Sequence, residues 1–180
     1  MAHKAGFVLW FTGLSGAGKT TLGIALEKRL LTKNLRVQRL DGDIVRKSLT
    51  KDLGFTVEDR KKNIERITFV TQLLAKHGVA TLVSFISPFI DVRENAKKAV
   101  EEVDGKFIEV FVKASVDECI KRDTKGLYKK AIAGEIDNFT GISHPYEDPP
   151  NPDIICDTEH ERIEQSVEKI MKYLIENKII

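Results

Sequence analysis

The strongest constraint on this chain is one contiguous stretch near its front. The apolar run FVLWFT (Phe7–Thr12) is followed by the glycine-rich GLSGAGKT (Gly13–Thr20) and then by the helix-forming TLGIALEKRL. Gly13, Gly18, Lys19 and Thr20 satisfy the spacing G-x-x-x-x-G-K-[ST] between a strand and a helix, where that spacing has a chemical use. Glycine allows positive φ, so the N–H groups of Gly13, Leu14, Ser15, Gly16, Ala17, Gly18, Lys19, Thr20 and Thr21 can converge on phosphate oxygens, and the helix N-terminus adds partial positive charge. Lys19 then reaches the β- and γ-phosphates of a nucleoside triphosphate, and the Thr20 hydroxyl is placed to ligate magnesium. The alternative is a flexible strand-to-helix turn with a surface lysine, which the flanking strand and helix disfavour. Nucleotide binding follows from this stretch; catalysis does not yet.

Further runs of β-rich apolar residues, RVQRLD, VATLVSFI, KFIEVFV and DIIC, alternate with helix-length spacers. Val79 to Ile86 is apolar almost throughout rather than alternating, as in strands covered on both faces. The pattern predicts an α/β fold of three layers, with a mostly parallel five-stranded sheet between helices. At 180 residues and 42% hydrophobic content the chain fits one domain with a substantial core. ERIEQSVEKIMKYLIENK reads as a helix covering the sheet, with Ile163, Val167, Ile170, Met171, Leu174 and Ile175 on its apolar face. Residues 123–152 break the pattern with a polar, Gly- and Pro-containing excursion, read as a lid.

A formal charge of +2 gives no global case for nucleic-acid binding, and no apolar run is long enough to span a membrane. The start lacks a secretory leader pattern, which predicts a cytoplasmic protein. Cys119 and Cys156 are too few and too scattered for a disulfide framework or zinc site, so both are expected as reduced thiols.

The second strand ends in LDGDIVR, which sets Asp41 and Asp43 beyond its carboxyl end, where doubly wound sheets bind ligands. A carboxylate there can hold magnesium, with Asp43 and Thr20 as the expected ligands, or accept a proton from an attacking hydroxyl; the plain reading is that Asp43 caps the next helix. GFTVEDRKKNIERI and FISPFIDVRENAKKA gather Phe55, Arg60, Asn63, Arg66 and Arg93 after the second and third strands. Arginine forks suit phosphate and sulfate oxygens, and Phe55 can stack on a base. Arg122 and the stretch Asn151–Asp153 are candidates for lining the base of the donor nucleotide.

GLSGAGKTT, LDGDIVR, KDLGFTVEDRKKNIERI, SFISPF, KGLYKKAIAGEIDNFTGI and PYEDPPNPD together resemble the adenylylsulfate kinases, from about Phe7 to the last helix. The resemblance implies a P-loop kinase fold, usually a homodimer, that moves the ATP γ-phosphate to the 3′-hydroxyl of adenosine 5′-phosphosulfate with magnesium, in sulfate assimilation or sulfonation. By that resemblance Lys19, Asp41, Asp43 and Lys125 act on the transferring group. Arg46, Phe55, Arg60, Asn63, Ile86, Ser87, Lys125 and Phe139 line the acceptor pocket beside Asp43, with Phe139 stacking on the acceptor adenine. Ser87 also matches the family's phosphoenzyme position, although direct in-line transfer needs no covalent relay. Glu65, Thr124 and His144 stand where the family more often has arginine, proline and an acidic residue. The chain is expected to be a stand-alone kinase. Kinases of other small metabolites, and non-catalytic nucleotide-binding modules, remain the competing readings. The aromatic pair Phe55 and Phe139 favours a purine acceptor over a polyol, and no guanine-reading N-K-x-D follows the fourth strand.

Overall fold

A computed structural model describes residues 5–180. Five parallel strands form one sheet in the order β2-β3-β1-β4-β5: β1 (Phe7–Thr12), β2 (Val37–Asp41), β3 (Ala80–Ser84), β4 (Lys106–Lys113) and β5 (Ile154–Asp157). The helices are α1 (Lys19–Leu31), α2 (Gly42–Val45), α3 (Val57–Lys76), α4 (Ile90–Glu101), α5 (Val116–Arg122), α6 (Leu127–Ile132) and α7 (Ile163–Glu176).

β1 shows why both faces must be covered. All six of its residues are buried, and they divide with the two-residue period of a strand. Phe7, Leu9 and Phe11 join the core beneath α1 and α7, with Leu22, Leu26, Ile170 and Leu174. Val8 and Trp10 join the opposite core, with Ile64 and Ile67 of α3 and Val92 and Ala96 of α4. Truncating one of these fully buried leucines, such as Leu26, to alanine costs about 2–5 kcal/mol. Local chemistry sets the helix starts. The Thr56 hydroxyl accepts from the Asp59 N–H at 3.1 Å to cap α3, and Ser115 caps α5 through the Glu118 N–H at 3.2 Å.

All five predicted strands form, and all point the same way, so their carboxyl ends share one edge. The loops after β1, β2, β3 and β5 open into the same cleft there. On α7, Val167, Ile170, Met171 and Leu174 are buried as expected, whereas Ile163 and Ile175 are 41% and 54% exposed at the flanks of the stripe. Ser166 is buried instead, and its hydroxyl donates to Glu161 at 2.8 Å. Both cysteines are free and buried; burial pushes the Cys156 thiol up to about 11 and raises Cys119 as well, so neither is a thiolate at neutral pH.

The excursion over 123–152 has two parts. The first carries α6 and the tight turn at Thr140–His144. The second is fastened to the body: the Tyr146 hydroxyl pairs with the Thr12 hydroxyl at 2.7 Å, and the Glu147 N–H donates to the Pro88 carbonyl at 2.9 Å.

Candidate active site

A cleft of about 890 Å³ runs along the carboxyl edge of the sheet. Its first half is the loop after β1. Gly13, Gly16 and Gly18 have φ of 147°, 77° and 101°, values that side-chain-bearing residues rarely adopt. At Gly13 a Cβ would also collide with the Val112 carbonyl oxygen, so this position needs glycine twice over. Lys19 opens α1 and lies buried, its Nζ donating to the Gly13 and Leu14 carbonyls at 2.8 and 2.7 Å. Burial lowers its pKa from 10.5 to about 8, with the nearby Lys125 charge pushing the same way. An anionic ligand reaching this ammonium would relieve that cost.

The cleft continues past the loop toward Arg122, Thr158, Glu161, Ile163 and Ser166. Arg122 bridges the two sides here, donating to the Thr158 carbonyl at 2.7 Å and reaching the Gly16 carbonyl at 3.4 Å. The Thr158 hydroxyl donates to the Ala17 carbonyl at 2.7 Å and so steadies the phosphate loop from behind. The stretch Asn151–Asp153 lies elsewhere. It precedes β5, at the opposite edge of a parallel sheet, where Asp153 accepts from the Glu109 N–H and from Tyr173. The residue after β5 that lines the cleft is Thr158, which the carboxyl-end rule could have found once DIIC was read as a strand.

Asp41 and Asp43 divide their work. Asp41 is 4% exposed; one oxygen accepts from the Thr20 hydroxyl at 2.7 Å and the other from the Asp43 N–H at 3.0 Å, capping α2. The capping role therefore belongs to Asp41. The Asp43 carboxylate points into the cleft, where it is paired with the Lys125 ammonium from the excursion. Thr20, Asp41 and Asp43 thus bring hydroxyl and carboxylate oxygens to one spot beside the phosphate loop.

The second half of the cleft is built from side chains far apart in the chain. The Arg46 guanidinium lies 4.3 Å from the centre of the Phe55 ring and donates to the Leu53 and Gly54 carbonyls at 3.1 and 3.2 Å. Arg60 donates to the Phe55 carbonyl at 3.0 Å and bonds across the cleft to the Thr140 hydroxyl and Asn138 carbonyl. Burial lowers the pKa of both guanidinium groups, and for Arg60 the Arg46 charge adds to the effect. Two partly desolvated cations side by side form a setting suited to a phosphate or sulfate. Asn63 is buried in the same wall, with its Oδ1 unpartnered among the described residues.

Ile86 and Ser87 form the floor after β3. Ser87 is 1% exposed with φ of 46°, and its Oγ accepts from the Trp10 indole N–H at 3.1 Å. Phe139 closes the far side, its ring edge-on to Tyr128 at 4.9 Å, while the Tyr128 hydroxyl donates to the Ser15 carbonyl at 2.9 Å. Asp41, Asp43, Arg46, Phe55, Arg60, Asn63, Ile86, Ser87, Arg122, Lys125 and Phe139 all line the cleft, whereas Arg66, Arg93 and Asn151–Asp153 do not. Arg66 forms a surface fork on Asp52 at 2.6 and 2.7 Å, and Arg93 lies buried behind the floor. Thr158 and Glu161 carry no local motif, Ile163 is legible only as part of a helix face, and Tyr128 and Thr140, though inside KGLYKKAIAGEIDNFTGI, have no feature that marks them out as site residues.

A phosphate loop opening a parallel sheet, with a second pocket of arginines and aromatics facing it, defines a P-loop phosphotransferase with separate donor and acceptor halves. The family model for adenylylsulphate kinase matches residues 5–157, and the chain belongs to that family. The "Probable adenylyl-sulfate kinase" of Pseudomonas aeruginosa is 58% identical over 172 residues, covering 96% of this chain and 78% of that protein. The adenylyl-sulfate kinase of Halothermothrix orenii is 54% identical over 176 residues, covering 98% and 93%. The APS kinase CysC of Mycobacterium tuberculosis, solved in complex with AMPPNP and APS, superposes with a TM-score of 0.91 at 41% identity, covering 95% of this chain and 98% of that one.

Proposed function

We propose that this protein transfers the γ-phosphate of ATP to the 3′-hydroxyl of adenosine 5′-phosphosulfate, giving 3′-phosphoadenylylsulfate and ADP. The observation that carries the reading is a single cleft with a lysine-bearing phosphate loop at one end, the Arg46–Phe55–Arg60 wall at the other, and Asp43 with Lys125 between them. The nucleotide phosphates lie along the N–H groups from Gly13 to Thr21, and the Lys19 ammonium turns from the Gly13 and Leu14 carbonyls to the β- and γ-oxygens. The donor base extends toward Arg122 and Thr158.

Among the described residues no cluster of three or more His, Cys, Asp or Glu side chains forms a metal cage. Magnesium does not require one. It keeps several waters and is bound through one or two carboxylates together with substrate phosphates, which fits Thr20, Asp41 and Asp43. When bound, it neutralises charge on the transferring group. Asp41, already bonded to Thr20, orients that hydroxyl, and Asp43 accepts the proton of the acceptor hydroxyl once Lys125 swings from Asp43 to the phosphoryl oxygens. Arg46 and Arg60 take the phosphosulfate oxygens, and Phe139 stacks on the acceptor adenine, with Phe55 completing that wall.

The excursion from Asp123 to His144 closes over both halves and keeps water from competing with the ribose hydroxyl for the phosphoryl group. Ser87 contacts the acceptor from the floor; its bond to Trp10 and near-complete burial argue against a phosphoenzyme role. The family resemblance supports a homodimer, which light scattering of the purified protein tests. Incubating the protein with ATP, magnesium and adenylylsulfate, and identifying the product by mass and phosphorus NMR, tests the reaction. Formation of the 3′-phosphorylated product is the expected result.

A further inference from the structure

We infer that Arg93 is a positioning residue that sets the width of the acceptor pocket without touching the acceptor. This rests on the acceptor reading above. Arg93 projects from the first turns of α4, its side chain only 3% exposed, and it does not line the cleft. Each end of its guanidinium is committed. Nε donates to Glu109 of β4 at 2.7 Å, Nη1 to the Ser87 carbonyl at 2.7 Å and Nη2 to the Glu147 carbonyl at 2.8 Å.

The Ser87 carbonyl belongs to the pocket floor and the Glu147 carbonyl to the return limb of the excursion, which is also held to the floor strap by the Glu147 N–H on the Pro88 carbonyl at 2.9 Å and by the Ile90 N–H on the Glu147 carboxylate at 2.7 Å. Ser87 is in the floor after β3, in a φ of 46° that a side-chain-bearing residue adopts only when its surroundings impose it. Glu147 lies eight residues beyond Phe139, which closes the far side of the pocket. Tyr146, next to Glu147, stacks on Phe111 with ring centroids 6.1 Å apart and pairs through its hydroxyl with Thr12 at 2.7 Å. The Arg93 guanidinium lies 5.9 Å from the Tyr146 ring centre. One rigid planar cation therefore joins the floor strap to the root of the closing segment, and Glu109 holds its charge in place.

A buried fork that bonds a carboxylate and two carbonyls at once cannot be replaced by lysine, whose ammonium is a point charge on a flexible stem. Small shifts of a positioning element are felt strongly at a reacting centre. The donor half is built on Gly13–Thr21 and Thr158 and receives no bond from Arg93, so its affinity is expected to be spared.

The test is steady-state kinetics of Arg93→Lys with each substrate varied in turn, with Tyr146→Phe as a milder variant that loses only the hydroxyl bond to Thr12. The expected result for Arg93→Lys is a KM for adenylylsulfate raised about tenfold, a KM for ATP within about twofold of wild type and a smaller fall in kcat. Tyr146→Phe is expected to raise the adenylylsulfate KM about threefold, again sparing ATP. If Arg93→Lys does not fold, the Tyr146→Phe result decides. Unchanged acceptor KM values beside a lowered Tm, or equal rises for both substrates, overturn the proposal and leave the acceptor reading standing. Failure of the wild-type protein to phosphorylate adenylylsulfate overturns the acceptor reading and this proposal together.

Discussion

The two halves of the cleft are built by different means. The donor half is contiguous backbone: nine consecutive residues, three glycines with positive φ and one buried lysine, steadied by Thr158 from the end of β5. The acceptor half is a set of side chains from α2, α3, the β3–α4 connection and the excursion, joined by arginine bonds such as Arg60 to Asn138 and Arg93 to Glu147. The exposures differ in the same sense. Lys19 is 9% exposed, whereas the Asp43, Lys125 and Phe55 surfaces stand open at 60%, 50% and 57%. The phosphate grip is a preformed backbone loop around a buried lysine, and in the function proposed above closure of the excursion completes the more open acceptor grip. That order suits an enzyme that must not release its phosphoryl group to water.

The contrast can be broken most forcefully at the donor end. Lys19→Met removes the cation from a site already shaped around it, and kcat/KM is expected to fall about a thousandfold, with little change in adenylylsulfate binding measured by calorimetry. Asp43→Asn keeps the shape of α2, because Asp41 is the cap, and removes the proton acceptor; kcat is expected to fall about a hundredfold with an intact melting profile. Near-wild-type turnover in this variant would mean that Asp43 takes no part in the chemistry. Phe139→Ala opens one wall of the acceptor half, and the adenylylsulfate KM is expected to rise about tenfold while the ATP KM holds.

The smallest expected effect is a proton. The Lys19 pKa of about 8 lies below its ordinary 10.5 because burial disfavours the ammonium, so between those values the unfolded chain holds more protons and the ligand-free protein gains stability as pH rises. Nucleotide phosphates favour the charged form. ATP binding is therefore expected to weaken above about pH 8 and to take up a fraction of a proton there, read by calorimetry in buffers of different ionisation enthalpy.

The same division explains what could be read from the chain alone. The donor half was legible because its chemistry sits in one run, Gly13 to Thr21, between recognisable elements. The strands were legible because each is an apolar run flanked by turn residues, and their shared direction put Asp41 and Asp43 at the correct edge. Phe55, Arg60 and Asn63 stood out by residue type beyond the second strand, but Arg46 and Phe139 were reached only through the resemblance to a family, and no local pattern ties Arg60 to Thr140 across 80 positions. Arg93 was read as a candidate for the pocket itself, and only the packing of α4 shows it behind the wall. Asn151–Asp153 misled because a polar, proline-containing stretch looks alike at either end of a strand; the direction of β5 decides which edge it occupies.

The most direct test of a donor grip facing a purine-phosphosulfate grip is an acceptor competition. Purified protein is given ATP and magnesium with adenylylsulfate, adenosine monophosphate or gluconate, and each product is identified by mass and by the position of the new phosphate. The result expected is phosphorylation of adenylylsulfate alone, at the 3′-hydroxyl. Preferential phosphorylation of gluconate or adenosine monophosphate would contradict the acceptor half while leaving the phosphate loop intact, and turnover of none of the three would contradict the enzymatic reading itself.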